Sequence, residues 1–129
     1  MSAMSKTLGP SPAALQHPEH LTQLSEKNGC CVVEINGVQI AESCDTIAVE
    51  ETGHDLVLYF PSEDVVTEIL LDSDSRTTCP FKGEARYFAA MIDGRKQDIA
   101  WFYPQVYDDV APIAGYIAFY ADRVDLNAS

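Results

Sequence analysis

Several things are scarce in this 129-residue sequence, and each scarcity excludes a class of function. No apolar run approaches the roughly 18 residues of a membrane span, and the opening "MSAMSKTLGPSPAALQ" lacks the apolar segment of a secretory signal. A soluble, cytoplasmic protein is the expectation. Basic residues are few: 8 Lys and Arg stand against 20 Asp and Glu, a formal net charge of -12. Nucleic acid and anionic membranes are thereby excluded as main partners, because both require a basic surface. The four cysteines, Cys30, Cys31, Cys44 and Cys79, include no CxxC pair, and the adjacent Cys30 and Cys31 would point to opposite faces of a strand. A structural zinc is not expected, no cofactor is implied, and in a reducing compartment all four are expected as free thiols that pack as small apolar groups. There is no Walker-type loop, and no Gly-Ser motif followed by a metal-binding carboxylate pair.

What is present is unevenly distributed. From residue 28 to 75 there are eleven acidic residues and no Lys or Arg, whereas six of the eight basic residues lie from Arg76 onward. Residues 1 to about 28 are rich in Ser, Pro, Gly and Asn, and read as a flexible or loosely packed tail carrying at most a short helix in "AALQ" or "HLTQL". His17 and His20, spaced by "PE", read as tail residues rather than metal ligands. Residues 29–127 then form one domain, long enough to bury a single core.

Within that domain the texture is β. Asn36-Gly37 lies between two β-rich runs, and Asp93-Gly94 between "ARYFAAMI" and "RKQDIAWFY"; a two-residue type I′ turn needs positive φ at both central positions, so both read as tight hairpins. "DTIAVEE" and "DLVLYF" read as further strands. Val65, Val66, Ile69 and Leu70 recur at helical spacing after Ser62, which predicts one short helix over about 62–71, with "DSD" at 72–74 as its solvated exit. "AGYIAFYADRVDL" alternates Tyr116, Ala118 and Tyr120 with Ile117 and Phe119, a closing strand. The fold class is mainly β, a single antiparallel β-rich domain of about eight short strands.

The segment most open to a functional reading is "RTTCPFKGEARY", from Arg76 to Tyr87. Pro80 and Gly83 supply turn chemistry, which would suffice for a connector. Arg76, Lys82 and a turn rich in backbone N–H groups also offer positive charge and donors to an anionic or carbonyl-bearing ligand. Cys79 is a candidate nucleophile, but no histidine lies near it in sequence to act as its base, so recognition outranks cysteine catalysis. If Lys82 has only a structural role it should be tied to a carboxylate such as Glu63 or Asp64; if functional it should face a cavity.

Read together, "NGVQIAES", "ETGHDLVLYFPSEDV", "SDSRTTCPFKGEARYF", "AWFYP" and "APIAGYIAFYADRVD" resemble the family called domain of unknown function 427, which some resources label a nucleotidyltransferase. The resemblance implies a tent-like β domain similar to methionine sulfoxide reductase B and the cereblon ligand-binding domain. The family's recurrent positions fall on Glu51, Tyr59, Pro61, Asp64, Thr77, Cys79, Pro80, Lys82, Gly83, Tyr87, Trp101, Tyr103, Pro104 and Tyr120. The resemblance implies that relatives often carry His where this chain has Ser75 and Thr78, and Glu-Asn where it has Gln97 and Asp98. The nucleotidyl-transfer label finds no support in the motifs present.

The expected function is small-molecule binding or catalysis, the ligand anionic or nucleotide-like, in a pocket lined by Tyr59, Asp64, Arg76, Thr77, Cys79, Lys82, Gly83, Trp101, Tyr103 and Tyr120. The alternative is a protein-interaction module that presents an acidic face to a basic partner. A monomer or homodimer is expected in either case. Trp101 and Cys79 discriminate the two: lining one concavity they favour the pocket, and buried far from any cleft they favour the module.

Overall fold

Asn36 and Asp93 adopt φ of 53° and 52°, and the glycines after them φ of 79° and 78°, so both expected hairpins close on tight turns. The protein is described here by a computed structural model, which covers residues 7–128. Ten strands follow one another: β1 (Thr22–Glu26), β2 (Cys31–Ile35), β3 (Val38–Ser43), β4 (Ile47–Glu51), β5 (Val57–Phe60), β6 (Leu71–Cys79), β7 (Gly83–Ile92), β8 (Arg95–Phe102), β9 (Ile117–Phe119) and β10 (Asp125–Ala128). They build a seven-stranded sheet, in the order β1-β4-β5-β9-β8-β7-β6, and a three-stranded sheet, β10-β2-β3. Every named strand pairing is antiparallel.

The large sheet is apolar on both faces, and the alternation along its strands explains why. Phe60, Ile99, Ala100, Ile117 and Phe119 pack with Val33, Ile35 and Ile40 of the small sheet to form the main core. Tyr59, Ala118 and Tyr103 point the other way, where Val106, Val110 and Ile113 of the segment after β8 cover them. Period-2 alternation therefore serves two cores, and the second borders the candidate site.

Several local expectations are corrected, among them the single closing strand over 114–126, which is divided between β9 and β10 in different sheets. Residues 62–71 are not one helix but two 3₁₀ turns, Ser62–Asp64 and Thr67–Ile69. Val65 between them is extended (φ −117°, ψ 132°) and bridges to Ala41, while the Val66 N–H donates to the Ile40 carbonyl at 2.8 Å. The backbone of two β-branched residues is thus satisfied by β3 rather than by an α-helical turn. Asp72–Asp74 consequently lie within β6, not at a helix exit.

The N-terminal segment is also more closely packed than its composition suggests. A short helix, α1 (Pro12–Gln16), is capped by Ser11, whose hydroxyl accepts the Ala14 N–H at 3.1 Å and donates to the Pro80 carbonyl at 2.8 Å. β1 pairs along β4 as an edge strand. The first six residues of the expected tail lie outside the described residues.

Finally, the four cysteines are not all free thiols: Cys30 and Cys44 form a disulfide, leaving Cys31 buried and Cys79 partly exposed. The register of the first hairpin is the reason. Its turn pairs Glu34 with Gln39, but a bulge at Ile40 then pairs Val33 with Ala41 and Cys31 with Ser43, which brings Cys44 opposite Cys30 just beyond the strand ends.

Candidate functional site

The cross-strand register builds the site. Tyr59 on β5 pairs with Ala118 on β9, Ala118 with Trp101 on β8, and Trp101 with Tyr87 on β7. Directly paired residues share a face, so three aromatic side chains and one small one stand in a row across four strands. Because Ala118 projects little, Tyr59 and Trp101 lean together over it: their rings meet edge to face at 6.4 Å, and the indole N–H donates to the Tyr59 hydroxyl at 3.3 Å. Tyr103 and Tyr120, two residues beyond Trp101 and Ala118, extend the same face. Tyr120 contacts Trp101 with ring centroids 4.8 Å apart and lies parallel to Tyr87 at 6.5 Å, and the Arg123 guanidinium lies 4.4 Å from its ring centre.

These aromatics enclose a cavity of about 230 Å³, whose remaining wall comes from Val49, Glu51, His54, Asp55, Val57, Cys79 and Lys82. Cys79 and Lys82 flank a tight turn in which the Lys82 N–H donates to the Cys79 carbonyl at 3.2 Å. Lys82 is 5% exposed, and its ammonium is ion-paired with Glu51. The second Glu51 oxygen meets His20 Nε2 at 2.7 Å, and the His20 ring stacks on Phe81 at 3.8 Å. The N-terminal segment therefore braces the turn from outside while Glu51 holds it from within.

Electrostatics follow from this burial. Desolvation would raise the Glu51 carboxyl, but hydrogen bonds from Lys82 and His20, with the charges of Lys82 and His54, bring it net below its ordinary value of 4.5. Burial pushes Tyr59 up to about 12 and Tyr103 further still; Tyr120 is pushed up to about 12, by burial first and by Tyr87 second. At neutral pH these three phenols are un-ionised hydroxyls.

Six of the residues singled out in the sequence line the cavity together: Tyr59, Cys79, Lys82, Trp101, Tyr103 and Tyr120. Lys82 meets both criteria set for it, being tied to a carboxylate and facing a cavity, although that carboxylate is Glu51 rather than Glu63 or Asp64. Four lie elsewhere. Asp64 accepts the Ser43 hydroxyl at 2.6 Å and borders a separate acidic concavity with Glu42 and Glu68. Arg76 turns back on the carbonyls of Ser73 and Ser75, at 3.2 and 2.8 Å. Thr77 is exposed and does not line the cavity, its hydroxyl lying 2.7 Å from that of Tyr87. Gly83 is required by packing: its φ is +143°, and a Cβ would come within 2.6 Å of the Gln105 carbonyl oxygen.

Glu51, His54, Asp55 and Tyr87 line the cavity but were absent from the expected pocket. Glu51 and Tyr87 could have been found, since both fall on recurrent positions of the resemblance and each has the parity of an inward residue. A larger concavity, about 470 Å³, lies between β1 and the disulfide; its wall includes Thr46, whose buried hydroxyl has no hydrogen-bond partner among the described residues. That concavity contains one aromatic, Tyr116, and none of the expected site residues. Among the described residues no group of three or more His, Cys, Asp or Glu could hold a metal ion, and no helix is long and apolar enough to cross a membrane.

The model of the family described as domain of unknown function (DUF427), which carries the label NTP_transf_9, matches residues 23–129. The chain belongs to that family. No curated protein matches it significantly. The DUF427 match takes in all but the first residue of β1, so the edge strand is part of the family's domain. Ser75 donates a hydrogen bond to Asp98 at 2.6 Å, and neither residue lines the cavity.

Proposed function

We propose that this DUF427 domain binds a small molecule in the cavity formed by Tyr59, Tyr87, Trp101, Tyr103 and Tyr120. The observation that carries this reading is the convergence of Trp101 and Cys79, from different strands, on one concavity whose base is fixed by a buried Lys82–Glu51 pair. Aromatic walls with a few oriented polar groups are the usual makeup of a ligand pocket. At about 230 Å³ the cavity falls below the roughly 300–1,000 Å³ of typical ligand sites, so it suits a compact molecule or one end of a larger one. Accommodation of a whole nucleoside triphosphate is disfavoured by that volume, and because the single lysine in the wall is already neutralised by Glu51.

The test is a thermal-shift screen of metabolites and fragments. A ligand present at 100 times its dissociation constant stabilises the fold by about 2.7 kcal/mol. Hits should lose their effect in Tyr59→Ala, and a screen without hits contradicts the proposal. A second reading, an interaction module with an acidic face, is favoured by one observation: of the eleven carboxylates between residues 28 and 75, Glu51 alone forms a salt bridge among the described residues. Retention of a basic peptide on the immobilised domain, without any small-molecule hit, would support that reading instead.

A further inference from the structure

Resting on the reading of the aromatic cavity as a ligand site, we infer that the ligand group it accepts is a small organic cation, such as an alkylammonium head group, rather than an anion. The charges that face the cavity are Glu51, Asp55 and Lys82, two negative and one positive, with His54 beside them. Lys82 is already engaged by Glu51 and Arg123, over Tyr120, lies outside the lining, so an anion entering would find no unpaired lysine or arginine in the wall and would meet Asp55 at the rim. The ring faces of Tyr59, Tyr103, Tyr120 and Trp101 line the cavity together, and aromatic faces attract cations.

Two further features agree. The Arg123 guanidinium already lies 4.4 Å from the Tyr120 ring centre, a cation held on this same aromatic cluster by the chain itself. The formal charge of -12 raises the local concentration of cations and lowers that of anions around the cavity. The small volume favours a compact head group in which the charge is spread over methyl or methylene groups that can lie against ring faces.

Choline and its neutral isostere 3,3-dimethylbutan-1-ol test the head-group charge, and 3,3-dimethylbutanoate, which has the same tert-butyl group with a carboxylate at the other end, tests whether an anion is accepted. Each is titrated against the intact protein and followed by the emission of Trp101, the sole tryptophan. Choline should bind about five- to thirtyfold more tightly than the neutral analogue, the ratio expected when a desolvated cation meets aromatic faces, and the anion should bind weakest. Tyr120→Leu should bring choline to within about twofold of the neutral probe. Asp55→Asn, at an exposed position on the cavity rim, should weaken choline about two- to threefold and the neutral probe by less. Equal binding of choline and the alcohol, or tightest binding of the anion, overturns the cation inference and leaves the cavity reading standing. Failure of all three to alter Trp101 emission contradicts both.

Discussion

Lys82 shows how one side chain carries both a structural and a site role. Its ammonium would be costly to bury alone, and Glu51 would be equally costly without it, so each fixes the other against the cavity. Lys82→Ala should therefore destabilise the fold by about 1.5–3 kcal/mol, measured by urea unfolding, because it leaves the Glu51 carboxylate short of a charged donor. Adding Glu51→Gln to that variant should recover part of the loss; a double variant less stable than Lys82→Ala would mean that the pairing is not the source of the effect. At Gly83 backbone geometry decides. With φ of +143° and the Gln105 carbonyl oxygen 2.6 Å from any added Cβ, Gly83→Ala should cost about 1–3 kcal/mol in the same assay. Both residues were visible in the sequence as unusual within a turn. The partner of each was not, because Glu51 and Gln105 are distant along the chain.

At the scale of elements, two β-bulges decide what meets what. A two-residue turn at Asn36-Gly37 alone would set Cys30 opposite Ser43, and one at Asp93-Gly94 would set Tyr87 opposite Ala100. In each hairpin one extra residue shifts the register: Ile40 in β3 brings Cys44 opposite Cys30, and Ile99 in β8 brings Trp101 opposite Tyr87. Both bulged residues are buried, and the carbonyl of each accepts an N–H from another segment, Val66 to Ile40 at 2.8 Å and Tyr120 to Ile99 at 2.9 Å. The two hairpin turns and the strands β2 to β5, β7 and β8 were legible in the sequence because they depend on local φ preferences and period-2 patterning; β1, β6 and the break of the expected closing strand into β9 and β10 were not. The bulges depend on tertiary partners, so the disulfide and the full aromatic row were not. Similarly, the apolar spacing of Val65, Val66, Ile69 and Leu70 fits a helix until β3 supplies an alternative hydrogen-bond partner. Cys30–Cys44 closes a loop of separation 14, so reducing it or substituting Cys44→Ser should lower stability by about 3 kcal/mol, read as a fall in the urea midpoint, with a steeper slope because the unfolded chain is no longer cross-linked. No change in the midpoint under reducing conditions would show that the hairpin holds its register without the covalent link.

For the molecule as a whole, the buried titratable groups around the site predict a stability plateau bounded on both sides. Glu51 has a folded value below its ordinary 4.5, so its contribution is complete above that value and is lost as pH falls through the depressed one. The tyrosines work in the opposite sense. Their folded values lie above the ordinary 10.0, so their contribution is complete below pH 10 and is lost as pH rises toward about 12, where Tyr59 and Tyr120 ionise. Thermal midpoints should fall on both flanks, and on the alkaline side the loss should coincide with the growth of tyrosinate absorbance. An alkaline midpoint that stays flat until well after the tyrosinate signal has saturated would contradict the assigned burial.

Whether small molecules bind in the aromatic cavity is read most directly at Trp101. Trp101 supplies a single, unambiguous indole N–H resonance, and its hydrogen bond to Tyr59 places that proton in the row of side chains beside the cavity. A fragment screen read by amide and indole chemical shifts on the labelled protein should give hits that move the Trp101 indole together with the backbone of Tyr59, Lys82 and Tyr103. Hits that cluster at the acidic concavity of Glu42, Asp64 and Glu68, or beside Thr46 and Tyr116, while the Trp101 indole stays unmoved, would contradict it.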